Sequence, residues 1–244
     1  MDSEPLSYSS IPAAIMESIL SVHAAYIAIM QDAASSIDPN LGGTLIYIGE
    51  LDAAGRACAT AANIAGAATL AASSNSAILR QSQREGVIDF LVNSLDEALR
   101  ILKNEIRKRQ PVSVAISKSP EAIAEEMLKR GVLPDLVSAQ SAFEPMAAKF
   151  LAQGAKRIST STRNTEQRLH IWAAPPEYAQ SLAAFEALLA GEVSDSDHLN
   201  RRWLRLSPRY LAPAARRLRS IACGESQAEK LSAKIGKPPL SPTI

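Results

Sequence analysis

Residues 44–58 read Thr44-Leu45-Ile46-Tyr47-Ile48-Gly49-Glu50-Leu51-Asp52-Ala53-Ala54-Gly55-Arg56-Ala57-Cys58. The run from Thr44 to Ile48 is short, apolar and bounded by glycines, which is how a strand buried on both sides reads. Gly49 closes it, and an Ala-rich stretch from about residue 55 to residue 66 has the composition of a helix. A doubly buried strand that passes at once into a helix is the opening of a βαβ unit.

Working outward, the same alternation continues to residue 138. Residues 67–72 either finish the first helix or form a second strand, and propensity leaves both open. Residues 76–84 predict a helix stopped by Gly86, and residues 87–92 a strand. Ser94-Leu95-Asp96-Glu97 is a capping box, in which hydroxyl and carboxylate satisfy free amides at a helix start, and that helix runs to about Lys108. Residues 111–116 predict another buried strand. Ser119 and Pro120 follow as cap and first helical residue of a helix ending at Gly131, and residues 136–138 as a short strand. The pattern specifies an α/β fold, a Rossmann-like open parallel sheet with helices on both faces. Ligands of such sheets lie beyond the carboxyl ends of the strands, here the turns after Gly49, Ser73, Ser117 and Ser138.

On either side of that block the text changes. Ile15, Ile19, Val22 and Tyr26 recur at helical spacing, so residues 1–40 read as an N-terminal helical extension and residues 41–158 as the main domain. Residues 159–223 read as an α+β extension or dimer arm, with an alternating strand at residues 168–172 and a helix over residues 178–190. Seven arginines, Arg201, Arg202, Arg205, Arg209, Arg216, Arg217 and Arg219, stand there among Trp203, Tyr210 and several leucines. Arginine with aromatics favours a protein interface, by self-association or by packing within the chain, over nucleic acid. Residues 224–244 read as a flexible tail.

Composition narrows the function classes. The 26 Lys and Arg balance 25 Asp and Glu among 244 residues, which argues against a dedicated nucleic-acid binder. Cys58 and Cys223 are far apart and lack metal-ligand spacing, so the expected compartment is the reducing cytoplasm. No uninterrupted apolar run reaches the roughly 18 to 20 residues of a membrane helix, and no membrane association is expected. His23, His170 and His198 stand outside any metal-binding pattern, so no metal is expected. Glu50 and Asp52 are weak catalytic candidates as a paired acid and base at a strand end, against the plainer reading of two carboxylates capping a helix. Cys58, near a helix start, reads either as an activated thiol or as a small buried apolar group.

Several segments resemble the nicotinamide-binding domain of urocanate hydratase (urocanase). They are Ser94-Leu95-Asp96-Glu97-Ala98-Leu99, the stretch from Ser113 to Pro120, Gly66-Ala67-Ala68-Thr69-Leu70-Ala71, and above all Arg130-Gly131-Val132-Leu133-Pro134-Asp135-Leu136-Val137-Ser138-Ala139-Gln140 with Ser141-Ala142-Phe143-Glu144-Pro145. Order and spacing agree with the family over about residues 45–151. The resemblance implies NAD as cofactor, held by Gly49, Gly55, Arg56, Ser73, Ser117, Lys118, Ser119, Gln140 and Ser141.

The departures fall on that same site. The family's glycine-rich turn is matched by residues 50–58, where only Gly55 remains, and Glu50 and Asp52 place negative charge where a pyrophosphate would lie. Ser73 stands where an acid accepts hydrogen bonds from the ribose, and Phe143 where the family has histidine. The family's Tyr-Gly-Asn-Asn and Phe-Cys-Arg-Gly segments are missing. The expectation is a divergent urocanase-like protein that is not an active urocanate hydratase and that takes a nucleotide or small polar ligand at the strand ends. A shorter likeness joins residues 43–49 and 55–56 to the N-acetylmuramic acid 6-phosphate etherases, which implies the alternative of a phosphosugar isomerase or lyase, and the arginine-rich segment leaves a non-catalytic oligomeric interaction protein as a further alternative.

Overall fold

A computed structural model of the chain describes residues 11–31, 39–138, 144–158, 167–178 and 180–240. It divides into two compact units, one of residues 24–161 and one of residues 1–23 with 162–244.

In the first unit strand β1 (Leu45–Glu50) leads into α2 (Ala53–Ala65), and β2 (Ala68–Ala72) into α3 (Ser76–Arg84). Strand β3 (Phe90–Val92), α4 (Leu95–Lys108), β4 (Val112–Ile116), α5 (Pro120–Lys129), β5 (Leu136–Val137), α6 (Glu144–Ala152) and β6 (Lys156–Arg157) follow. Helix α1 (Ala13–Met30) precedes them all. The strands are parallel throughout and lie in the order β3-β4-β2-β1-β5-β6. Chain direction across the sheet therefore reverses at β1, with β2 on one side and β5 on the other. This is the switch point at which open α/β sheets bind ligands. The ambiguous residues 67–72 are strand, because they fill the place between β1 and β4.

The continuous apolar text of β1, β2 and β4 follows from burial on both faces. Leu45, Tyr47, Leu70, Val112, Val114 and Ile116 join one large core cluster with Leu99 and Leu102 of α4, Met127 of α5 and Phe150 of α6. Their neighbours Ile46, Ile48, Thr69, Ala71, Ser113 and Ala115 alternate with them and point to the opposite face. There α2 lies close to the sheet, because alanines make up much of its buried surface. One polar contact is built into that seam, where the Ser113 hydroxyl lies 3.0 Å from Asn63 Oδ1.

Two of the connections that lead back into the sheet are built alike. After α3, Gly86 takes φ +73° and Val87 N donates to Ser82 O; after α5, Gly131 takes φ +65° and Val132 N donates to Met127 O. Each chain then reaches an aspartate that completes the sheet with its side chain. Asp89 Oδ2 accepts from Ser113 N and Asp135 Oδ2 accepts from Leu45 N, at 2.8 and 2.7 Å. Their own amides donate to the carbonyls of those same two residues. The second turn is one residue longer. Buried Pro134 stands before Asp135 as buried Ile88 stands before Asp89, so Leu133 is the extra residue, and it is 40% exposed. The strand expected over residues 87–92 is only β3, since Val87 N and Ile88 N both turn back to close α3 on Ser82 O.

In the second unit β7 (Arg168–Ala173) pairs antiparallel with β8 (Leu218–Cys223), and α7 (Leu182–Ala190), α8 (His198–Tyr210) and α9 (Glu225–Ile235) complete it. Trp172, Phe185, Leu189, Leu204, Ile221 and Leu231 form its core. The arginine-rich segment folds into this unit instead of projecting as an arm. Trp203 is buried and donates to Ser220 Oγ, and Arg219 is buried against Glu186. The tail expected from residue 224 contains α9, because Ala228, Leu231 and Ile235 recur at helical spacing and are buried.

Helix α1 is the one helix among the described residues long and apolar enough to cross a membrane by length and composition, although Glu17, Ser18, Ser21 and His23 interrupt its apolar run. Its Met16, Ile19, Val22, Tyr26, Ile29 and Met30 are buried, a one-faced pattern typical of packing against protein.

Candidate ligand site at the carboxyl ends of the strands

The end of β1 is distorted by a bulge. Its register on β2 shifts between Tyr47 and Gly49, and Gly49 takes φ +82°, a conformation open to glycine and strained for other residues. The chain beyond it turns into the start of α2, where the two acidic candidates lie. Glu50 folds its carboxylate onto the next amide, with Oε1 accepting from Leu51 N at 2.8 Å. Asp52 is the cap of α2, and its Oδ1 accepts from Gly55 N at 2.8 Å. The carboxylate thus holds an amide of the kind that binds phosphate at a helix start, and its charge offsets the helix dipole.

Gly55 is required for packing. A Cβ there would stand 1.9 Å from Glu50 O and 3.3 Å from Ile48 Cγ2, so α2 reaches the strand only because this residue has no side chain. Arg56, on the next position, pairs with Glu85 beyond the end of α3.

The neighbouring turns are closed in the same way. Ser73 is fully buried, its Oγ accepting from Asn75 N at 3.1 Å, and Asn75 caps α3 by accepting from Ala77 N and Ile78 N. Ser119 caps α5 by accepting from Ala122 N at 3.2 Å. Ser117 N donates to Val92 O, and Lys118 N to Ile116 O, while Lys118 Nζ stands 3.8 Å from Glu126. Gln140 and Ser141 lie outside the described residues. Three helix starts that surround the strand ends, those of α2, α3 and α5, are therefore capped by side chains of their own turns.

Three contributors were not singled out in the sequence. Tyr47, fully buried in β1, donates its hydroxyl to Pro120 O at 2.7 Å and so ties the turn after β4 to the central strand. Burial pushes its phenol far above the ordinary range, and Glu121 and Glu50 add to the effect, so it remains a donor at every ordinary pH. Glu121, in the first turn of α5, brings a third carboxylate to this end of the sheet. Asn75 was legible as a cap before an amphipathic run. Tyr47 carried no signal beyond that of an apolar strand residue.

Cys58 lies in α2 and is not an activated thiol. Burial raises it from 9.0 to about 12, against a weaker opposite effect of its hydrogen bond with Ser138. Among the described residues no group of three or more His, Cys, Asp or Glu is placed to hold a metal ion.

A parallel sheet with its switch point at β1, and a helix start packed on that strand through an obligatory glycine, define a Rossmann-like α/β domain. The family profile of the urocanase Rossmann-like domain matches residues 21–183. The chain belongs to the urocanase family through this domain. The matched region extends beyond residues 45–151 on both sides, from within α1 to the first residues of α7.

Proposed function

We propose that this protein is a divergent urocanase-family member that binds a small polar ligand, neutral or cationic, at the strand ends, and neither holds NAD by its pyrophosphate nor hydrates urocanate. The observation that carries this reading is the Asp52 carboxylate on Gly55 N, with the Glu50 carboxylate on Leu51 N beside it. A dinucleotide would have to displace the first and lie against the charge of both. Two phosphate charges approaching two carboxylates in a partly desolvated turn are repelled by several kcal/mol at an effective dielectric of about 20. The hydroxyls of exposed Ser117 and half-buried Ser119 offer the rest of the crevice to polar, uncharged groups, and Glu50, Asp52 and Glu121 favour a cation.

The test is calorimetric titration with NAD of the purified chain and of a Glu50→Gln, Asp52→Asn variant, together with an absorbance assay on urocanate. The expected result is no saturable NAD binding by the native chain, measurable anion binding gained by the variant, and no loss of urocanate. Stoichiometric NAD in the purified protein, or urocanate turnover, overturns the reading.

A further inference from the structure

Among the described residues Phe90 is the most exposed large apolar side chain, at 47%. It opens the edge strand β3, at the amino ends of the strands and so at the opposite end of the sheet from the candidate ligand site. Phe90 lines a groove of about 830 Å³ with Ile101 and Val112 as further apolar walls, and Asp89, Arg100, Asn104 and Glu105 border the same space. The balanced charge of the whole chain conceals a local excess here. Residues 100–109 carry five cations, Arg100, Lys103, Arg107, Lys108 and Arg109, and one carboxylate, Glu105. Glu105 is paired with Lys108, and Asp96, which feels the charge of Arg100 and Lys103, is paired with Arg130. Arg100, Lys103 and Arg107 are exposed and make no ion pair among the described residues. They stand at i, i+3 and i+7 of α4 and so form one stripe about 10 Å long.

We propose that this groove and stripe bind single-stranded nucleic acid, with one base seated against Phe90 and the phosphates that follow it lying along Arg100, Lys103 and Arg107. Three features favour that occupant. The aromatic face is open to solvent, as stacking requires, and an unpaired base has a free face to offer it. Acceptors and cations are also segregated. Asp89 and Glu105 each hold one carboxylate oxygen on a protein donor and keep the other for the amino groups of a base, whereas the free cations form the outer rim, where a phosphate chain runs. An acidic peptide matches the cations and brings no base to the groove. Finally, the cations continue along α4 past Arg100, so only a chain engages several of them together, and a lone nucleotide is held weakly. This proposal is independent of the ligand reading at the other end of the sheet.

The experiment is fluorescence anisotropy of a short labelled oligonucleotide of mixed sequence, as DNA and as RNA, titrated with the full chain at several salt concentrations. Each variant is also melted to confirm that its exposed substitution leaves the fold intact. The native chain is expected to bind at low salt, and Phe90→Ser to bind about tenfold more weakly through the lost stacking. The double variant Arg100→Gln, Lys103→Gln should bind more weakly and flatten the dependence of log K on log salt by about 1.4, the share of two phosphate contacts to a single strand. Arg205→Gln, Arg209→Gln in α8 should change nothing. Absence of binding, or binding indifferent to Phe90→Ser, overturns the proposal. So does loss of binding in the α8 variant alone, since the strand then lies on the second unit. Competition by polyglutamate, by phosphatidylserine vesicles, by the matching duplex or by adenosine 5′-monophosphate as strong as that of the unlabelled strand refutes it equally, because the occupant is then of another class.

Discussion

Replacing Gly55 by alanine tests the central claim about the rewritten loop, that its surviving glycine serves packing. The added Cβ meets Glu50 O at 1.9 Å, against ordinary contacts that begin at 3.4 Å, so α2 and the end of β1 must part by about 1.5 Å. The obstacle is a backbone oxygen and cannot rotate away. Overpacking of a tight seam costs about 1 to 3 kcal/mol, and a backbone clash belongs at or above the top of that range. Alanine returns about 1 kcal/mol through its better helix propensity. The net loss is about 2 kcal/mol. For a chain of this length each kcal/mol lowers Tm by roughly 2 to 4 °C, so Gly55→Ala should melt about 4 to 8 °C lower by far-ultraviolet circular dichroism. Ala53→Gly is the control, exposed in the same first turn, where only propensity is lost and the decrease stays under about 1 kcal/mol. A Gly55→Ala chain that melts at or above the native temperature refutes the argument, because the helix would then have room that the packing denies it.

Removing the α2 cap with Asp52→Ala should cost about 1 kcal/mol in urea unfolding, and Asp52→Asn clearly less, because an amide oxygen still caps. Asp89→Ala and Asp135→Ala should each lower stability by about 1 kcal/mol or more, since each leaves a strand amide without its acceptor, and the two losses should add in the double variant. Alkaline pH should destabilise the fold. Cys58 rises from 9.0 to about 12 on folding, so its contribution is complete below pH 9 and is lost as pH climbs toward 12; Cys58→Ala should flatten that part of the pH–stability curve. The same thiol should resist iodoacetamide in the native protein at pH 8 and react once urea unfolds the chain.

Most of the sheet was legible because its strands are buried on both faces and its helices carry ordinary punctuation. Ser94 accepts from Glu97 N and Ser119 from Ala122 N, as their spacing predicts, although the Glu97 carboxylate closes on Asn93 N, one residue earlier than a capping box requires. Residues 67–72 could not be assigned locally, since alanine suits either state and only the gap between β1 and β4 decides. β6 is two charged residues, Lys156 and Arg157, whose exposure on the sheet edge leaves no apolar pattern to read. In the second unit, β8 was hidden within the arginine-rich text because Arg219 pairs with a residue distant in sequence, Glu186. The site was legible as a change of charge in the loop. That Asp52 caps α2 through Gly55 N agrees with the plainer reading of the loop, whereas the pairing of Arg56 with Glu85 depends on rotamers and neighbours that residue types do not specify.

The aspartates of the two matching turns have an evolutionary consequence. Because Asp89 and Asp135 each fasten their turn to the adjoining strand with both amide and carboxylate, whatever is inserted between the helix-ending glycine and the aspartate is released from any duty to the sheet. The longer turn has used that freedom at Leu133. A lineage can therefore lengthen, polarise or delete that residue and so alter what the surface attracts, while the framework beneath continues to select for the glycine, the aspartate and the buried residue before it. Social habits of the molecule can drift quickly on a scaffold that changes slowly.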